Sequence, residues 1–101
     1  MMNLTKEVNG NEVKIILEGR LDTTTAPQVE AEVKALPESV QNLVFDFNNL
    51  EYISSAGLRV LLSAQKTMNK QGSMVIKNAS ESIVEVFDIT GFSDILTVEN
   101  N

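Results

Sequence analysis

Two adjacent serines carry the clearest chemical signal in the chain. Ser54-Ser55-Ala56-Gly57-Leu58 stands between an apolar run, Leu43 to Phe47, and a long helical pattern. A helix that starts there presents unpaired backbone N–H donors and a partial positive charge. Such a terminus stabilises a phosphate, whether bound or carried covalently by a serine. The plainer reading is that Ser54 or Ser55 caps the helix, since Ser is among the preferred N-cap residues. The two readings are compatible. A phosphate in the first turn gains about 0.3–1 kcal/mol from the helix dipole, and a fold stable by about 5–15 kcal/mol survives it. Phosphorylation would act mainly on the surface that a partner meets, adding about two negative charges.

Other candidate positions give weaker signals. The loop Leu21-Asp22-Thr23-Thr24-Thr25 is polar, and capping and turn formation account for most of it. Arg59, Ser63, Lys66 and Lys70 follow helical spacing, which puts a basic strip on one helix face. That strip is either a solvated face opposite the core or a partner-facing surface on an acidic domain. Asp46, on a strand-like run, invites comparison with a phospho-accepting aspartate. That chemistry also needs acidic metal ligands grouped at the end of an early strand, and Glu7, Glu12 and Glu18 form no adjacent pair. A carboxylate hydrolase could use only Glu18 with Asp22 near the serines. The glycines at 10, 19, 57, 72 and 91 are isolated, so no phosphate-cradling glycine loop is present.

Composition narrows the classes further. The 101 residues contain no His and no Cys. That removes imidazole bases, thiolate nucleophiles, disulfides and Cys/His zinc sites. Hydrolysis by a carboxylate pair and an oxygen-ligand metal site stay open on composition alone; with no grouped ligands or glycine cradle, the expectation is a non-enzymatic protein with no metal and no cofactor. Eight basic residues stand against 14 acidic ones, a net charge of −6. Such a chain repels phosphate backbones and anionic lipid surfaces, which argues against nucleic-acid and direct membrane binding. No basic leader with an apolar segment is visible, so the cytoplasm is the expected location. Apolar residues at 43% and charged residues at 22% suit one globular domain over residues 1–101.

The elements that must position these residues follow from pattern. Leu4 to Val8 and Val13 to Leu17 alternate around Asn9-Gly10-Asn11, a hairpin signal in which both Asn-Gly turn residues need positive φ. Thr25-Ala26-Pro27-Gln28 opens a first helix, with Thr25 as side-chain cap and Pro27 in the first turn. Ala26, Val29, Val33 and Leu36 form its apolar face, and Pro37 stops it. Leu43 to Phe47 is a buried strand that Asn48 and Asn49 are expected to end. The second helix, with Leu58, Leu61, Leu62, Ala64 and Met68 on its apolar side, closes at Gly72 as a natural C′ residue. Met74 to Ile76 is a strand, Glu81 to Ile89 a third helix stopped by Gly91, and Ile95 to Val98 a final strand. Asn100 and Asn101 are expected to fray. The order ββαβαβαβ implies an α/β domain with a mixed sheet.

Three segments, in this order and on these elements, resemble the anti-sigma-factor antagonist family, the STAS domain. Tyr52-Ile53-Ser54-Ser55-Ala56-Gly57-Leu58-Arg59-Val60 is similar to its aromatic-apolar-Asp-Ser-Ser/Thr-Gly-Leu-Gly-Val signature. Gly19 to Ala26 resembles its Gly-Glu-Leu-Asp-x-x-Thr-Ala loop, and Val86 to Phe92 its apolar-Phe-x-x-x-Gly-apolar segment. The likeness runs from about Leu4 to Val98. It implies a single STAS-like domain, a small mixed sheet with helices packed on one side. It also implies an antagonist that binds an anti-sigma factor, itself a serine kinase, and so frees a sigma factor. The kinase phosphorylates the serine after the signature Asp, which is Ser55 by position, and a serine phosphatase reverses the step. Asp22, Thr23, Ser54, Gly57, Leu58 and Arg59 would share the partner surface. Three departures stand out. Ser54 occupies the usual Asp position, Arg59 occupies the second Gly, and the further C-terminal helix of many relatives is missing, which would leave apolar sheet surface uncovered. The alternative is an unphosphorylated STAS scaffold or accessory subunit of a stress-sensing or lipid-transport complex.

Overall fold

A computed structural model describes residues 2–99. The elements are β1 (Met2–Asn9), β2 (Glu12–Leu21), α1 (Ala26–Lys34), β3 (Asn42–Ile53), α2 (Ser55–Gln71), β4 (Ser73–Lys77), α3 (Glu81–Thr90), a 3₁₀ turn (Phe92–Asp94) and β5 (Val98–Glu99). The sheet order is β1-β2-β3-β4-β5, with β1 antiparallel to β2 and every later pair parallel. Each parallel step crosses over through a helix in the same direction. Right-handed crossovers therefore stack α1, α2 and α3 on one face. The expected mixed α/β architecture and element order hold.

The core lies between that face and the helices. Val13, Ile15, Leu17 and Leu21 of β2 and Leu43, Phe45 and Phe47 of β3 meet Val29 and Val33 of α1, Leu61 and Met68 of α2, and Ile83 and Phe87 of α3. The Phe45 and Phe47 rings stand 5.9 Å apart and tilted at 53°, a favourable aromatic arrangement. Val44 is buried to 8% exposure yet belongs to no part of this core. It points to the other face, in register with Lys14 and Val75 and next to the Lys14–Asp46 ion pair (3.8 Å). Asp46 on that face is tied to Lys14 and to Asn48 and Asn78.

Local details differ from the sequence expectation in ways that have physical causes. β3 does not end at Asn48-Asn49 but continues to Ile53. The register against β2 slips by one residue after Ile16 and again after Gly19, each time with the extra residue in β3. The slips bring Phe47, Leu50 and Ile53, three residues apart, all into the core. A spacing of three breaks the two-residue alternation of a strand, which is why the run reads as ended. The hairpin pairs Asn9 with Glu12, so its turn residues are Gly10 and Asn11. Only Gly10 has positive φ (63°), the pattern of a II′ turn rather than an Asn-Gly I′ turn. α1 stops at Lys34, leaving Leu36 half-buried beyond its end. The last strand is Val98–Glu99, because the 3₁₀ turn takes up the chain before an exposed Ile95. The frayed end expected at Asn100 and Asn101 lies outside the described residues.

Gly72 does close α2, but for a different reason than a left-handed cap. Its φ of 170° is extended, and its N–H donates to Met68 O at 2.6 Å. A Cβ at this position would sit 1.8 Å from the Gln41 carbonyl oxygen. That carbonyl accepts from Ser73 N–H at 2.8 Å, and Gln41 N–H donates to Asn11 O, so the backbone there is held on both sides. Gly72→Ala is expected to cost about 2 kcal/mol or more and to lower the melting temperature by about 8–16 °C in a calorimetric scan. An unchanged midpoint would mean that the α2–β4 junction is looser than this geometry.

Candidate functional site

The polar site is built where β2 and β3 both end. Leu21 and Ile53 are partners across the sheet, and Ser54 N–H donates to Leu21 O at 2.9 Å. α2 begins directly above. Gly57 sits on the two strand ends, where a Cβ would come within 2.8 Å of both Ile53 Cγ1 and Leu21 Cγ. Ser54 is the N-cap. Its φ and ψ are extended, its carbonyl accepts from Leu58 N–H at 3.0 Å, and its Oγ accepts from Gly57 N–H at 3.4 Å. The capping role expected of one serine therefore falls to Ser54. Ser55 is the first helical residue and is exposed, and its hydroxyl makes no hydrogen bond among the described residues.

The neighbouring loop is organised by Asp22 rather than by Thr25. Thr25 makes no side-chain cap for α1. Instead its Oγ1 accepts from Asp22 N–H and donates to Arg20 O, both at 2.8 Å. Asp22 O accepts the first N–H groups of the helix, from Thr25 (3.2 Å) and Ala26 (2.8 Å). Asp22 Oδ1 accepts from Thr24 Oγ1 (2.7 Å), Thr24 N–H (3.0 Å) and Thr25 N–H (3.2 Å). These bonds, led by the Thr24 hydroxyl and opposed by partial desolvation, hold the Asp22 carboxyl below its ordinary range. An aspartate kept ionised in this way is poorly suited to donate a proton.

Two features of the site were not read from the sequence. Arg20 lies over the Tyr52 ring, with Cζ 4.2 Å from the centroid, and its Nε is 3.9 Å from Asp22 Oδ2. Arg20 and Tyr52 are cross-strand partners only because of the second register slip, so no local pattern announces the contact. The second feature is a cleft of about 180 Å³ between α1 and α2, lined by Thr23, Ala26, Pro27, Glu30, Ala56, Arg59 and Val60.

Asp22 and Ser54 follow directly on the paired strand ends Leu21 and Ile53, Ser55 begins α2 beside them, and Thr23 and Arg59 are exposed across the cleft. Gly57 and Leu58 lie beneath it. Leu58 is 7% exposed and packs in the core, so these two residues shape the turn from below. The basic strip divides. Arg59 belongs to the cleft, whereas Lys70 lines a separate hollow with Glu38, Thr67 and Gln71. Eleven residues of helix set Arg59 and Lys70 about 16 Å apart along the axis.

A helix N-terminus seated on parallel strand ends, beside a threonine-rich loop, is the arrangement that this fold presents to its surroundings. Residues 3–101 match the STAS domain family, and the chain belongs to it. It is 32% identical over 100 residues to the anti-sigma-B factor antagonist of Bacillus subtilis, covering 96% of this chain and 92% of that protein. Its fold is similar to that of the anti-sigma factor antagonist SpoIIAA in its unphosphorylated form, with a TM-score of 0.79 at 21% identity over 98% of this chain and 89% of that one. It is also similar to the Bacillus cell fate determinant SpoIIAA in the phosphorylated form. There the TM-score is 0.76 at 22% identity, over 96% of this chain and 91% of that one.

The lowered Asp22 pKa has a definite sign in stability. The folded state releases this proton more readily than the unfolded chain, so the contribution is complete above the unfolded value and is lost as pH falls through the folded one. Asp22→Asn is expected to flatten the acid limb of the stability curve between about pH 5 and pH 2. A carboxyl NMR titration of Asp22 with its midpoint at or above 3.8 would contradict the assigned hydrogen bonds.

Proposed function

We propose that this protein is an anti-sigma factor antagonist that binds its anti-sigma factor when Ser55 is unmodified and lets go when Ser55 is phosphorylated. The observation that carries the reading is Ser55 itself. Its hydroxyl is exposed and unbonded at the first position of a 17-residue helix, in the place of the family's signature serine. A kinase can reach it without unfolding anything, and Ser54 rather than Ser55 supplies the cap, so modification does not uncap α2. The relative from Bacillus subtilis is named an anti-sigma-B factor antagonist. The phosphorylated and unphosphorylated structures named above also show that a member of this fold keeps it in both forms.

The switch on this reading is electrostatic. Ser55 is small, polar and exposed and is followed by Ala56, which lines the cleft with Thr23, and such a surface suits close packing against a partner. A phosphate brings about two negative charges and a tightly held hydration shell to the centre of that surface. Docking then requires desolvating the dianion and placing it against whatever the partner presents there, often at a cost of several kcal/mol. The anti-sigma factor is the serine kinase, a serine phosphatase resets the switch, and the complex works in the cytoplasm, where a sigma factor meets its polymerase. The domain binds and is modified, and it catalyses nothing itself.

Ser55→Ala is expected to bind the anti-sigma factor as tightly as the unmodified protein and to stay bound after Mg-ATP is added. Ser55→Glu is expected to weaken binding by about tenfold or more, read by calorimetry or surface-based kinetics. Intact-mass analysis after ATP treatment should find one phosphoryl group, mapped to Ser55. Equal affinity of the unmodified and phosphorylated forms would end this reading in favour of a constitutive scaffold.

A further inference from the structure

We propose that Arg59 captures the phosphate of phosphorylated Ser55, so that modification withdraws a cation from the surface as well as adding an anion. The inference rests on the switch reading above and concerns how that same site is regulated. Ser55 and Arg59 are four residues apart on α2, and both are exposed. Residues at this spacing stand one above the other on a single helix face. Long helical side chains lean toward the N-terminus, so an arginine at position 59 can reach back to the first turn, where Ser55 stands. An anion placed four residues before a cation is also the favourable order along a helix.

Arg59 is free to take this role. It makes no ion pair and no side-chain hydrogen bond among the described residues, unlike Lys6, Lys14, Arg20 and Lys34. The acidic groups on the elements around it are already engaged. Glu30 of α1, which lines the same cleft, pairs with Lys34 at 3.4 Å. Asp22 of the loop is 3.9 Å from Arg20 and accepts three bonds from Thr24 and Thr25 at up to 3.2 Å. The remaining cleft residues, Thr23, Ala26, Pro27, Ala56 and Val60, are uncharged. A phosphate on Ser55 would therefore be a dianion within reach of a guanidinium that forms no ion pair among the described residues. Two N–H groups of the planar fork match two phosphate oxygens, which a lysine ammonium cannot reproduce.

The consequence for binding follows from charge. In the unmodified protein Arg59 is exposed one helical turn from Ser55, available to a carboxylate on the partner. Once the phosphate holds it, that contact is lost together with the open serine surface. The switch acts twice through one modification.

The test uses the full chain with phosphoserine placed at position 55 during translation, so that no kinase is needed. Phosphorus NMR then reads the second ionisation of the phosphate, which lies near about 6 when unperturbed. Arg59→Gln is expected to raise that midpoint by a few tenths of a unit relative to the otherwise native chain, and Arg59→Lys is expected to retain part of the difference. Lys66→Gln removes the same charge two turns further along α2 and is expected to leave the midpoint in place. The melting-temperature difference between phosphorylated and unmodified chains should shrink with Arg59→Gln alone. Equal midpoints in Arg59→Gln and Lys66→Gln would overturn the capture. Partner affinity is measured on the same proteins. If phosphate at position 55 leaves affinity unchanged, the switch reading falls, while the NMR result still decides whether Arg59 holds the phosphate.

Discussion

The structure depends on one close approach. The first turn of α2 rests directly on the paired ends of β2 and β3, with Gly57 against Leu21 and Ile53 and the Ser54 amide bonded to the Leu21 carbonyl. A side chain at 57 would lift the helix by colliding with two buried residues of the strand ends. Because the contact involves both strands, it fixes the helix relative to the Asp22 loop that leaves β2 and to the serines that leave β3. The site is thus placed by core packing, although every group it exposes is polar.

This arrangement separates stability from recognition. Leu58 and Gly57 face down into the core, Ser54 closes the helix end, and Asp22 satisfies the opening of α1. Ser55, Thr23 and Arg59 are left with no structural duty that the described contacts reveal. Side chains in that position can be modified or can meet a partner at little cost to the fold. The departure at Ser54 fits the same logic. The hydroxyl caps α2 as a carboxylate could, and it leaves Ser55 without an adjacent anion.

Much of this was legible in the chain. Helical periodicity located the three helices, Pro27 fell in the first turn of α1, and Gly91 ended α3. The serine pair before an apolar helix marked the start of α2, and the three family-like segments fell on the elements expected of them. Failures occurred where the chain departs from its regular period or where distant backbone intervenes. The slips in β3 hid its second half, and Thr25 lost its capping role to the preceding Asp22 carbonyl, which only a folded loop can position. Gly72 was recognisable as an end point, but its cause, the Gln41 carbonyl, lies 31 residues away in sequence.

The sequence by itself determined the element order, the absence of imidazole and thiol chemistry, the acidic charge balance and the serine that begins α2. Each is a local or compositional property, set by residue type and short-range spacing. Tertiary structure alone decided that Ser54 caps while Ser55 stays free, that Arg20 stacks on Tyr52, and that Glu30 and Asp22 are engaged while Arg59 is not. Those outcomes depend on strand register and on which side chains from different elements reach each other first. A one-residue slip in β3 changes them without altering any local preference, so no reading of neighbours along the chain could supply them.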